Sequence, residues 1–237
     1  MSAKPYLQIP IQDCGEPLVP IDCPPVQLTL PPPYEQLGAD YGGRSPYVLR
    51  SGVLAALVEA QDTLIRLKPG WKLRLFDAYR PVAVQQFMVD FTFRQIVREE
   101  GLDSAALSAS QKQEILAKVY TIWALPSENP ATPPPHSTGA ALDLTLADEG
   151  DQAVEMGGEI DELSPRSQPD YYDLSDDPRA NLYRANRGLL NQVMAGAGFL
   201  RHPGEWWHFS LGDQLWAWQM RQAHPEGNFY ARYGRAE

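Results

Sequence analysis

Proline lacks a backbone N–H and clashes with the preceding helical turn, so the placement of the 22 prolines decides where this chain can build regular structure. They concentrate outside the periodic segments. Residues 1–50, with the run PPVQLTLPPPYEQLG, read as extended, irregular chain wrapping a domain rather than as helix. A second stiff stretch, ENPATPPP, covers 128–135.

Between these stretches the hydrophobic periodicity is plain. Val53, Leu54, Leu57, Val58, Leu64 and Ile65 recur near a 3.6-residue period, which predicts an amphipathic helix over 51–68, stopped by Pro69-Gly70. Trp71, Leu73 and Leu75 then alternate with Lys72, Arg74 and Phe76 as a strand ending in the turn DAYRP. A second helix follows Pro81 and runs to Gly101, and a third covers about 108–124. ALDLTL alternates as a short strand, and the polar stretch of about 147–178 reads as an ordered surface loop. A further helix spans about 179–196, closed by Gly196 and Gly198, and EWWHFSL is the last strand. No internal repeat is visible. Helices mixed with well-separated strands predict a single α+β domain over 1–237, with 1–34 as a proline-rich extended leader packed on it.

Bulk properties narrow the function classes. A chain of 237 residues can bury a substantial core without disulfides. Its formal net charge of −10 argues against a nucleic-acid partner, because phosphate binding needs Lys and Arg gathered on one face. No apolar run approaches the ~20 residues that cross a bilayer. The N-terminal MSAKPYLQIPIQDCGEP has neither the apolar core nor the cleavage site of a signal peptide, so a cytoplasmic location is expected. Cys14 and Cys23 could pair, but two thiols make no framework, and a bystander role is the simpler one. Oligomeric state leaves no trace in the sequence.

Only four histidines occur, so each can be weighed. His136 lies in HSTGAALDL, seven residues before Asp143, and His208 lies in EWWHF, three residues after Glu205. A hydrolytic zinc takes three protein ligands from His, Asp or Glu and leaves a fourth position for water, and His136, Asp143 and His208 supply such a set. The small residues from Ser137 to Ala141 let the chain turn from one ligand into the strand carrying the next. There Asp143 faces away from Leu142 and Leu144. A surface hydrogen bond is the competing reading of the His136/Asp143 pair. Glu205 and His208, at an odd offset, fall on opposite faces of an ideal strand, so their cooperation needs a bulge, a strand end or a turn. The two tryptophans between them read as core packing, and His202 and His224 as ordinary surface residues. Arg80 sits where a strand gives way to a helix. It could bind a carbonyl oxygen as it becomes negative, or simply pair with Asp77 or another acid.

Three motifs stand in one order: FDAYRP, HSTGAALDLTL and EWWHF. Together they resemble the D-alanyl-D-alanine dipeptidases of the VanX type, within the wider zinc D,D-peptidase family. DYGG at 40–43, MGGEID at 156–161 and NRGLL at 186–190 extend the resemblance to about residues 35–212. It implies an α+β fold with a central antiparallel sheet flanked by helices, the hedgehog/DD-peptidase-like fold. It also implies one zinc ion per chain on His136, Asp143 and His208, Glu205 as catalytic base, and Arg80 stabilising the transition state. Asp161 matches an acid bordering the substrate pocket and is expected to read the free amino group of a small D,D-dipeptide.

The chain departs from the family pattern where Pro134 replaces a serine two residues before the first histidine, where Ile160 replaces an aromatic, and where Asp40 stands for an amide. These changes bear on the pocket rather than the metal. The rival functions are a D,D-carboxypeptidase or peptidoglycan endopeptidase of the same superfamily, and a zinc-binding module without catalysis.

Overall fold

The computed structural model describes residues 4–236. The proline-rich residues 4–50 are mostly extended, interrupted by two short helical turns, and they are also woven into the sheets. A one-turn 3-10 helix over Pro5–Gln8 precedes β1 (Leu18–Pro20), β2 (Gln27–Leu28), a short helix α1 (Pro33–Gln36) and β3 (Val48–Arg50). β1 and β3 pair antiparallel as a separate two-stranded sheet.

α2 (Ser51–Leu67), β4 (Lys72–Asp77) and α3 (Val82–Glu99) follow the periodicity closely. α3 starts directly after Pro81, whose missing N–H costs nothing at a helix start. α4 (Ala109–Val119) opens on a capping box between Ser108 and Gln111 and ends earlier than the expected residue 124. The chain breaks off there because Trp123 turns inward, its indole N–H donating to the Thr92 hydroxyl at 2.9 Å.

β5 (Ala141–Ala147), α5 (Ala180–Gly196), β6 (Leu200–Arg201), β7 (His208–Ser210) and α6 (Gln214–Ala223) complete the order. Of the expected strand EWWHFSL only the end is strand, and α6 was not anticipated. Its sequence signal is Asp213, an N-cap whose carboxylate accepts from the Trp216 N–H at 2.8 Å.

The main sheet has the order β2-β4-β5-β7-β6. β4, β5, β7 and β6 are antiparallel neighbours, and β2 adds a short parallel edge. On one face Leu73, Leu75, Leu142, Leu144 and Leu146 pack against α2 (Val53, Leu57, Leu64) and α5 (Leu190, Val193, Met194). Each such side chain contributes roughly 1.5–3 kcal/mol by leaving water. A second apolar cluster joins Tyr34, α3 and α4.

One irregularity in β4 decides where the polar side chains go. Leu75 opposes Leu144, whereas Asp77 opposes Asp143, and the ladder shifts between them. Phe76 is therefore the extra residue of a bulge. Two residues apart on a regular strand, Leu75 and Asp77 would share a face; the bulge turns Asp77 onto the other one.

Candidate metal centre

The register lays a row of polar side chains across four strands. Asp77 of β4 opposes Asp143 of β5, and Asp143 opposes His208 of β7. His202 continues the row just beyond β6, its N–H donating to the His208 carbonyl at 2.9 Å. Directly opposed residues project to the same face, so the row converges by backbone geometry alone.

His136 enters from outside the sheet, on a 3-10 turn over Pro135–Thr138. That turn is bolted to the β4–α3 junction. The Arg80 N–H donates to the His136 carbonyl at 3.3 Å, and the Ser137 hydroxyl donates to the Arg80 carbonyl at 2.8 Å. Gly139 ends the turn at φ 69°, and a Cβ there would lie 2.3 Å from Leu18 Cδ2. Only glycine meets both demands.

Three donor atoms then face one another. His136 Nε2 lies 3.1 Å from His208 Nδ1 and 3.2 Å from Asp143 Oδ2, and His208 Nδ1 lies 3.0 Å from Asp143 Oδ1. The remaining ring nitrogens fix the tautomers. His136 Nδ1–H donates to the Ala78 carbonyl at 2.7 Å. His208 Nε2–H faces Ser210 Oγ at 3.3 Å, and that hydroxyl donates to Asp213 at 2.9 Å. Both imidazoles therefore turn lone pairs, not protons, towards a buried carboxylate.

Such a cluster repels itself unless a cation sits within it. Tetrahedral zinc with ligand distances near 2.0–2.1 Å separates its ligand atoms by roughly 3.3 Å, close to the spacings here. The outward hydrogen bonds are those that hold metal-ligating histidines in place. The donor set thus fits a metal ion.

Electrostatics agree with this arrangement. Burial alone would raise Asp143, but the His136 and His208 imidazoles outweigh it and hold the carboxyl below the usual carboxylate range. Burial pushes His208 down, keeping it neutral and free to ligate.

Glu205 stands at the rim of this cluster. The chain turns back after β6, so Glu205 lies in the 203–207 connection and not on a strand, and the odd offset from His208 imposes no opposite facing. Its Oε2 is 3.9 Å from His208 Nδ1 and its Oε1 is 3.4 Å from His202 Nδ1. Burial, reinforced by Asp143, raises the Glu205 carboxyl well above its ordinary value.

His202, expected at the surface, is instead packed edge-on against the His208 ring at 5.6 Å. Burial and the neighbouring His208 keep it neutral. The hairpin is the reason: β6 and β7 pair, so 202 and 208 become cross-strand neighbours. Their even offset of six was a usable signal.

Arg80 is 3% exposed and engaged by four side chains. It donates to Asp77 Oδ2 at 2.8 Å, Asp143 Oδ2 at 3.2 Å, Gln85 Oε1 at 2.9 Å and the Tyr34 hydroxyl at 3.0 Å. Tyr34 and Trp123 stack over it, 4.7 and 5.0 Å from ring centre to guanidinium carbon. The Tyr34 hydroxyl passes the chain on, donating to Asp161 at 2.8 Å. Asp161 holds a left-handed backbone, φ 64°, which Asp tolerates better than most residues. Its loop is pinned by Arg187 of α5, which donates to the carbonyls of Met156, Arg166 and Gln168 at 2.7–2.8 Å.

All six residues singled out from the sequence, Arg80, His136, Asp143, Asp161, Glu205 and His208, line one narrow void. So do His202, Gln85 and Trp123, and so do Lys4 and Tyr6 from the leader, none of which the sequence marked. The double tryptophan stays in the core, Trp206 and Trp207 being 2% and 1% exposed. His224 is exposed, and both cysteines are free. No described helix is long and apolar enough to cross a membrane.

The chain is similar to known proteins along most of its length. The profile of the M15 peptidase family, described as D-Ala-D-Ala dipeptidase, matches residues 28–228. A D-alanyl-D-alanine dipeptidase of Synechocystis sp. is 60% identical over 99% of this chain and 97% of its own length. One from Streptomyces coelicolor is 34% identical over 68% of this chain and 71% of its own, and one from Enterococcus faecalis is 31% identical over 68% and 72%. A solved LD-carboxypeptidase, LdcB, aligns with 90% of this chain and 75% of its own at TM-score 0.46 and 15% identity, too distant to bear on function. With most of its length matched, and with a relative at that identity along the whole chain, this protein belongs to the D-Ala-D-Ala dipeptidase family of M15 metal-dependent peptidases.

Proposed function

We propose that this protein hydrolyses D-alanyl-D-alanine, or a close D,D-dipeptide, with a zinc ion held by His136, Asp143 and His208. The observation that carries this reading is the buried triangle of lone-pair donors with Glu205 at its edge. Zinc, when bound, supplies a Lewis acid for the scissile carbonyl and lowers the pKa of water towards ~7.

The protein's own groups do the rest. Glu205 takes a proton from the attacking water and delivers it to the leaving amine. Its raised proton affinity suits the second half of that exchange. Arg80 offers positive charge to the carbonyl oxygen as it becomes negative, held in aim by Asp77 and Gln85. Asp161, beside Tyr34, accepts the substrate's free ammonium. A cytoplasmic location is part of this reading; the free thiols of Cys14 and Cys23 suit a reducing compartment.

A carboxypeptidase or endopeptidase needs a cleft that admits a longer chain. The narrow void, walled by Lys4 and Tyr6, favours a dipeptide. Two measurements test the proposal. The Glu205→Ala variant is expected to keep stoichiometric metal by elemental analysis and to lose about 10²–10⁴ in kcat on D-Ala-D-Ala. Parental turnover in that variant overturns the mechanism, and faster cleavage of a pentapeptide than of the dipeptide by the parent overturns the substrate class.

A further inference from the structure

The void has two cations in its lining, and they differ in how far they are already committed. Arg80 is engaged by Asp77, Asp143, Gln85 and Tyr34. Lys4 is half-buried beside the same space, and among the described residues its side chain forms no hydrogen bond and no ion pair. Burial drives the pKa of that ammonium down, and the Glu205 carboxyl is the charge that opposes the fall. A buried cation of this kind gains most from an anion that arrives with the ligand.

We infer that Lys4 recognises the C-terminal carboxylate of the dipeptide, while Asp161 takes its amino group. The inference rests on the dipeptidase reading. A free dipeptide is a zwitterion, so a pocket that selects it over longer chains needs an acceptor for the ammonium and a donor for the carboxylate. The chain entering His136 cannot supply that donor: Pro134 and Pro135 carry neither hydroxyl nor N–H. Arg80 already gives most of its donors to Asp77, Asp143, Gln85 and Tyr34. Lys4 remains.

Lys4 is also held in place rather than dangling. The Pro5–Gln8 turn that follows it packs on α6, with Tyr6 buried. Gln214 of α6 donates to the Ile9 carbonyl at 2.7 Å. Further on, the Gln12 and Cys14 N–H groups donate to the Ala231 and Arg232 carbonyls at 2.8 and 2.9 Å, and Asp13 pairs with Arg50 at 3.0 Å. Residues 4–27 of this leader lie outside residues 28–228, where the family profile matches.

The test compares the full-length, zinc-loaded protein with its Lys4→Met and Lys4→Arg variants on D-Ala-D-Ala and on its C-terminal amide. Lys4→Met is expected to raise KM for the free acid about ten- to hundredfold, the worth of a hydrogen bond to a charged group, with kcat within about twofold. KM for the amide should not move, and Lys4→Arg should recover most of the loss. An unchanged KM for the acid, or equal losses on acid and amide, overturns the assignment; the second result makes Lys4 a charge partner of Glu205 only. A parent protein that cleaves neither compound refutes the dipeptidase reading and this inference with it. A parent that cleaves the acid while Lys4→Met behaves identically refutes Lys4 alone.

Discussion

At the scale of single residues, the site depends on groups that touch neither metal nor substrate. Ser210 accepts from His208 Nε2 and donates to Asp213, so it sets which imidazole nitrogen carries the lone pair. Ser210→Ala is expected to weaken zinc affinity about 10–100-fold while the fold stays intact, read by chelator competition beside far-UV circular dichroism. An unaltered affinity would mean the tautomer is set elsewhere. Arg80 shows how a pairing sets where a charge sits. It pairs with Asp77, the bland alternative, and that pairing aims it at the void. His202 depends on pairing of another kind. A histidine flanked by Arg201 and Pro203 reads locally as a surface residue, and only the pairing of β6 with β7 brings it against His208.

At the scale of elements, regular segments were readable and junctions were not. α2, α3 and α5 follow from periodicity, because each needs only one apolar stripe to bury. The strands near the site are two to seven residues long, too short for alternation to speak. The bulge at Phe76 and the turn between β6 and β7 are set by pairing, and pairing is not local. The 3-10 turn carrying His136 is an exception, since Gly139 marks its end in the sequence. Gly139→Ala should lower stability by more than about 1 kcal/mol, from the positive φ and the clash with Leu18 together, and should reduce bound zinc. Denaturant unfolding and metal content measured on one preparation check both halves. Full stability in that variant would mean the leader can move away from Gly139 at no cost.

At the scale of the whole molecule, the site strains the fold that carries it. Burial is the main cause that pushes Asp161 up to about 7 and Asp213 to about 6, from 3.8 for a solvated Asp. As pH rises from about 4 to about 7, the unfolded chain releases protons that the native state retains. The stability contributed by these groups is therefore complete below the unfolded value and lost as pH climbs through the folded ones. In metal-free protein this contribution should be lost between pH 5 and 7.5, on the order of a few kcal/mol at most, partly offset by His202 and His208, whose neutral buried rings contribute more as pH rises through the unfolded histidine value; Asp161→Asn should remove part of the loss. Bound zinc favours the carboxylates and should reduce it too. Unfolding curves of chelator-treated and zinc-loaded protein across that range decide the matter; identical slopes would show that the site exerts no such strain. The sequence by itself determined the α+β class and the main helices, because periodicity is a property of short stretches, and its motifs singled out His136, Asp143, His208 and Glu205 as candidates by their resemblance to a family. The tertiary structure alone decided that Asp77, Asp143, His208 and His202 form one row, that Tyr6 and Lys4 reach the void from the leader while Tyr34 links Arg80 to Asp161, and that Glu205 lies at the edge of the His136, Asp143 and His208 cluster. Those facts rest on strand register and on contacts between residues more than a hundred positions apart, and no local pattern encodes them.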